Sequence, residues 1–189
     1  MEYTTDRLSP DGLLLDGKNP RLAEFGITPK TKQSEILQVL WENMALEEII
    51  TSLTAHGFFD TEPLLAVKEG GKLIVIEGNR RLAAVKIVRD TSLIQNKLDQ
   101  KVLDRIDKKI IKQLDKIPVI VVSNREEAWR FIGFKHINGP AKWNSFAKAQ
   151  HIVQVHEQYG IPLEEIAFQV GDTHKTVQKL FQGMMVIDE

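Results

Sequence analysis

The sequence contains no cysteine, which excludes a disulfide framework, a thiolate metal site and a catalytic thiol. That absence fits a reducing cytoplasm. No apolar run approaches the roughly 20 residues that a membrane-spanning helix needs. The opening residues Met1-Glu2-Tyr3-Thr4-Thr5-Asp6 lack the basic and apolar regions of a secretion signal. A soluble cytoplasmic protein with no membrane partner is therefore expected. Excess charge is also lacking: the formal net charge is -1, so attraction to nucleic acid must come from local patches. Internal repeats and low-complexity tracts are missing too. What remains is a globular composition, 189 residues with 42% hydrophobic and 27% charged, enough for one large domain or two small ones.

Along the chain, Leu13-Leu14-Leu15 reads as a strand closed by the turn Asp16-Gly17-Lys18-Asn19-Pro20. Ser34 to Trp41 and Ala45 to Ala55 carry apolar residues at helical spacing, and Gly57 sits where the second helix would stop. Leu64 to Val67 and Lys72 to Ile76 flank Glu69-Gly70-Gly71 as a β-hairpin. Glu77-Gly78-Asn79 turns into a helical pattern from Arg80 to Val88. Lys97 to Leu114 reads as one highly charged surface helix, and the β-branched run Ile117 to Val122 as a buried strand. Ser123 and Glu126 have capping-box spacing. Everything beyond is helical, with a boundary near Gly133 to Pro140.

The sharpest pattern lies between Gly160 and Met184 and predicts a helix-turn-helix. Ile166 and Val170 sit one turn apart on a first helix, and the small Ala167 lets a second helix approach. Gly171 permits the tight turn. Thr173 can cap the second helix, whose inner face is Val177 and Leu180. Thr173, His174, Lys175, Gln178 and Lys179 are thereby presented outward as candidate DNA contacts: lysine for phosphate or guanine, glutamine for adenine. An ordinary helical hairpin is the alternative. Charge argues for weak binding by this unit alone, since Ile161 to Glu189 holds two lysines against five acids. Upstream, Ala128 to His156 holds no acid but contains Arg130, Lys135, Lys142 and Lys148, either a supporting contact or a solvated face.

A second candidate is Ile76-Glu77-Gly78-Asn79-Arg80-Arg81, a strand-to-glycine-to-helix junction bearing two arginines. Free backbone N–H groups, the helix dipole and forked guanidinium donors suit a phosphate; plain surface charge is the alternative. His136, His151 and His156 invite a metal reading, but His151 and His156 do not share one helix face at consecutive turns, no carboxylate lies among the three, and no metal site is expected. They read as phosphate-facing or surface groups. Trp143 and Phe146 serve either base stacking or packing. Glu47, Glu48, Asp60 and Glu62 have the chemistry of general acids and bases, yet nothing in the sequence groups them.

Leu53-Thr-Ala-His-Gly57, Pro63-Leu-Leu-Ala-Val67 and Glu77-Gly-Asn-Arg-Arg-Leu-Ala-Ala-Val-Lys86, with Asn19-Pro20-Arg21 before them and the helix-turn-helix after, resemble ParB-type partition proteins from about Leu13 to Phe181. The resemblance implies an α+β fold: a ParB/sulfiredoxin-like nucleotide-binding domain with a small mixed sheet at residues 1–135, then an all-α helix-turn-helix domain at 136–189. Sulfiredoxin chemistry itself needs a cysteine and is excluded. By position, Gly78, Arg80 and Arg81 would hold the phosphates of CTP or another nucleoside triphosphate such as ATP, with Asn79 replacing the usual acid. His56 and Gly57 would lie near the nucleotide.

The family's magnesium-holding Glu-Asn-x-x-Arg element is matched here by Lys135-His136-Ile137-Asn138-Gly139. A lysine repels Mg²⁺, which puts metal-dependent CTP hydrolysis in doubt, while Lys135 and His136 become candidate phosphate contacts. The implied partners are DNA and a nucleotide, in plasmid partition, plasmid maintenance or phage defence. The alternatives are a ParB-like nuclease or nucleotide hydrolase, and a plain helix-turn-helix transcription regulator. Relatives continue into further helices and a dimerisation region, so a homodimer is compatible with the resemblance, and the chain reads either as a short relative or as one cut after the motif.

Overall fold

The computed structural model describes residues 5–95, 97–137 and 142–187, with only the backbone of Ile187. Of the Lys135–Gly139 stretch, Asn138 and Gly139 fall outside the described residues. The chain divides into two compact units. One comprises Met1–Gly17 and Pro29–Ser123, the other Lys18–Thr28 and Asn124–Glu189.

The first unit is α+β. Its five-stranded mixed sheet is built from β1 (Thr5–Leu8), β2 (Leu13–Leu15), β3 (Leu64–Glu69), β4 (Lys72–Glu77) and β5 (Ile117–Val122), in the order β1-β5-β3-β4-β2. The β3–β4 hairpin is antiparallel, as the sequence predicts. β5 lies parallel to β3, with Leu64 opposite Val119, and β2 lies parallel to β4, with Leu13 opposite Leu73. Ile117 and Val119 of β5 are fully buried, as a β-branched central strand should be. The edge strand β1 escapes sequence reading because its side chains are mostly exposed. It is held by backbone pairing to β5 rather than by an apolar alternation.

Helices α2 (Gln33–Asn43), α3 (Leu46–His56) and α4 (Asn79–Arg89) complete the core of this unit. α4 carries the run Leu82-Ala83-Ala84-Val85, buried throughout, and the two alanines let α3 pack closely against it. Asn79, in the first turn of α4, is buried and ties strands together. Its Oδ1 accepts from the Asp16 N–H at 2.9 Å and its Nδ2 donates to the Val75 carbonyl at 2.7 Å. An ionised acid could accept but not donate here.

The charged stretch after α4 is not one helix. It breaks into α5 (Gln100–Leu103) and α6 (Lys108–Gln113). Asp99 accepts from Lys101 N–H and Asp107 from Ile110 N–H, each at 2.8 Å. Each aspartate starts a new helix where charge patterning alone suggests continuity.

The second unit is all-helical: α1 (Pro20–Ala23), α7 (Arg125–Ile137), α8 (Ser145–Tyr159), α9 (Leu163–Val170) and α10 (His174–Ile187). α1 forms where the sequence reads a turn, because Asn19 caps it through the Arg21 N–H and Pro20 fits its first position. It packs on α8, and Asn144 donates to the Glu24 carboxylate at 3.0 and 3.1 Å. α7 is capped by Asn124, which accepts from Glu127 N–H at 2.9 Å, so the cap lies one residue beyond the Ser123 box that the sequence suggests. The sequence draws the domain boundary at 135/136. In the structure α7 packs on α8 and α9 because Trp129 and Ile137 enter the same core as Ile152, Val155, Ile166, Val170 and Val177. Among the described residues no helix is long and apolar enough to cross a membrane.

Candidate functional site

The helix-turn-helix forms as the sequence spacing predicts. Ile166, Ala167 and Val170 on α9 and Val177 on α10 are buried in the common core, with Leu180 and Phe181 packed against it. Between the helices, Gly171 takes φ 72°, ψ 31°, a left-handed conformation that costs a side-chain-bearing residue about 1 kcal/mol or more. The next turn is locked by hydrogen bonds. Asp172 N–H donates to the Ala167 carbonyl at 2.9 Å, and Thr173 Oγ1 accepts from the Thr176 N–H at 3.2 Å. Thr173 therefore spends its hydroxyl as the cap. His174, Lys175, Gln178 and Lys179 are all exposed, on a helix whose opposite face is buried. His156 braces the motif from α8: its Nδ1 lies 2.8 Å from the Ile161 carbonyl and its ring meets Phe181 edge-on at 5.1 Å.

At the other candidate, Gly78 precedes α4 with φ 96° and ψ 22°. A Cβ at this position would lie 2.4 Å from Leu64 Cδ2 and 3.1 Å from a terminal nitrogen of Arg81. Glycine is required both by the backbone angle and by these neighbours. The first N–H groups of α4 lack intrahelical acceptors, as at any helix start. Arg80 reaches across to α3, where Nη2 donates to the Ala45 carbonyl at 3.3 Å. Ala45 itself sits at φ 48°, an uncommon conformation for a residue with a side chain.

Arg81 is largely enclosed, its side chain 17% exposed. Nη1 donates to the Glu62 backbone carbonyl and lies 3.5 Å from the Glu62 carboxylate, while Nη2 lies 3.8 Å from Glu77 Oε1. Neither partner is signalled by a local sequence rule: Glu77 ends β4, outside the helix in which a four-residue spacing brings side chains together, and Glu62 comes from the loop before β3. Asp60 pairs with Arg7 at 2.8 Å, so the four carboxylates of the sequence reading remain scattered. Glu47 and Glu48 are exposed in the first turn of α3.

Other sequence candidates fall elsewhere. Asn79 is committed to the buried clasp described above and does not present its side chain to a ligand. His56 ends α3 exposed, its ring 6.0 Å from that of Phe59, and Gly57 caps that helix. Lys135 and His136 belong to the helical unit on α7, whereas Gly78 to Arg81 belong to the α+β unit. Lys135 Nζ lies 5.7 Å from the Phe131 ring centroid.

His136, read as a phosphate contact, is instead buried, stacked on Trp143 at 4.4 Å with 2° between the rings. Trp143 is packing rather than a base platform, and it meets His151 edge-on at 5.5 Å. His151 is likewise interior, not phosphate-facing. Burial, with His136 nearby, pushes its pKa down to about 4, against a raising effect from a hydrogen bond to the Trp129 backbone. Periodicity alone could not place these histidines, because an imidazole is common both inside and outside. Among the described residues no cluster of three or more His, Asp or Glu could hold a metal.

No known protein-family profile matches the chain, and no curated protein matches it. Among solved structures the chain is similar to C-terminally truncated ParB, the chromosome-partitioning protein of Caulobacter crescentus. The similarity to its complex with the centromeric parS site has 16% identity and a TM-score of 0.46, covering 93% of this chain and 69% of that one. The complex with CTP-gamma-S has 16% identity and a TM-score of 0.39, covering 94% and 76%.

Proposed function

We propose that the protein is a ParB-like DNA-binding protein whose α+β unit binds a nucleoside triphosphate at the start of α4. The observation that carries the DNA reading is the two-sided α10: Val177 is buried in the core while His174, Lys175, Gln178 and Lys179 stand in solvent behind a capped turn. That is the arrangement by which a recognition helix enters a major groove. Only two lysines serve this helix, so few phosphates are neutralised and affinity is modest. Replacing Lys175 and Lys179 by alanine lowers affinity across all DNA sequences and flattens the salt dependence by roughly one to two units of log–log slope. Fluorescence anisotropy over a salt series measures this. An unchanged slope would mean that α10 faces something other than DNA.

The nucleotide reading rests on Gly78, the start of α4 and Arg80, with CTP as the first ligand to test and ATP and GTP beside it. The reading is of binding alone. Arg80→Ala is expected to cost about 1.5 to 3 kcal/mol of triphosphate binding. Calorimetry on the full chain reads it, and absence of heat with all three nucleotides at high protein concentration removes the claim. One observation favours a second reading, a regulator whose α+β unit binds no nucleotide: Arg81 already has carboxylate partners. The same titration separates the two.

A further inference from the structure

The Arg81 contacts carry an inference that rests on the nucleotide reading and deepens it. We infer that Glu62 and Glu77 act as an internal stand-in for phosphate, holding the Arg81 guanidinium over Gly78 so that only a ligand with several adjacent phosphate charges displaces them. Three observations meet at one point. The guanidinium lies against Gly78, with a terminal nitrogen 3.1 Å from where a Cβ would stand. The Glu62 carbonyl and carboxylate hold one side of it, and Glu77, itself only 12% exposed in its side chain, approaches the other. The arrangement joins the β3 loop, the end of β4 and the first turn of α4.

Arginine pairs with carboxylate and with phosphate through the same forked donors, so the two compete for one geometry. Two carboxylates bring two negative charges. A monophosphate brings at most an equal number and displaces them poorly, whereas a triphosphate brings more and adds contacts to the α4 N–H groups. Glu62 and Glu77 thus set the selectivity of the site between mono- and triphosphates, and they weaken its affinity for both.

The test uses the full chain and the variants Glu62→Gln, Glu77→Gln and the double variant. Calorimetry with CTP, CMP and inorganic triphosphate is paired with a readout that needs no nucleotide: the rate at which phenylglyoxal modifies Arg81, followed by peptide mass spectrometry. In the double variant Arg81 should react several times faster. Triphosphate binding should tighten about five- to tenfold and CMP binding by more, narrowing the CTP-to-CMP ratio. Equal Arg81 reactivity in wild type and double variant overturns the inference, as does triphosphate affinity that is unchanged or weaker. If Arg81 reactivity rises but neither form binds any of the three ligands, the stand-in has no ligand to imitate. Both the inference and the nucleotide reading then fall. Circular dichroism of each variant confirms that the fold is intact before comparison.

Discussion

Acidification from neutral pH to about pH 4 is expected to cost the helical unit about 3 kcal/mol of stability through His151 alone. The ring is buried beside Trp143 and His136, and its Nε2 has no hydrogen-bond partner among the described residues. Folding therefore favours the neutral imidazole, with a pKa near 4 against an ordinary 6.5. Between those values the unfolded chain takes up a proton that the folded chain refuses, so stability falls as pH falls. Above about 6.5 the contribution is fully present, and below about 4 it has been lost. Urea unfolding followed by tryptophan fluorescence, in wild type and His151→Leu, isolates the effect. Equal pH slopes in the two proteins would show that His151 is not the source.

The second large effect concerns Gly133, on the face of α7 turned toward α9. A Cβ there would stand 2.8 Å from Val170 Cγ1 and 3.0 Å from His151 Nε2. Val170 is fully buried and β-branched, so its methyl has little freedom to yield. Gly133→Ala is expected to destabilise the unit by about 1 to 3 kcal/mol, despite alanine's better helix propensity. On the proposed DNA reading, affinity for DNA should fall with it, because Val170 is the last residue of α9 before the turn. Gly183→Ala is the control: it lies in α10 with nothing within 4 Å of its Cβ position and should be neutral or slightly stabilising. Equal melting temperatures for the two variants would contradict the close approach of α7 and α9.

Much of this architecture was readable in advance, for identifiable reasons. The helix-turn-helix declares itself because Ile166, Ala167, Val170, Gly171, Val177 and Leu180 each satisfy a separate geometric demand at a fixed spacing. The β3–β4 hairpin and the junction at Gly78 were likewise set by local chemistry. What escaped depends on partners distant in sequence. β1 is defined by hydrogen bonds to β5, more than a hundred residues away. The sequence presents Arg81 as a donor for phosphate, and Glu62, from another loop, gives it a different partner. Asn79 looked like a substituted ligand, whereas its amide supplies the donor that a clasp between Asp16 and Val75 requires. The charged segment after α4 misled in the opposite direction. There a local signal, the aspartate caps, outweighed the longer pattern.

α1 has a consequence for handling the protein. The helical unit is not encoded by one stretch of the gene: residues Lys18–Thr28 dock on α8 from far upstream. A fragment starting after Ser123 would carry the whole recognition motif yet leave the seat of α1 on α8 bare to water and Asn144 without Glu24. During synthesis the early segment must wait for α8 to emerge before it has anywhere to settle. An excised helical unit should therefore be circularly permuted or supplied with that peptide.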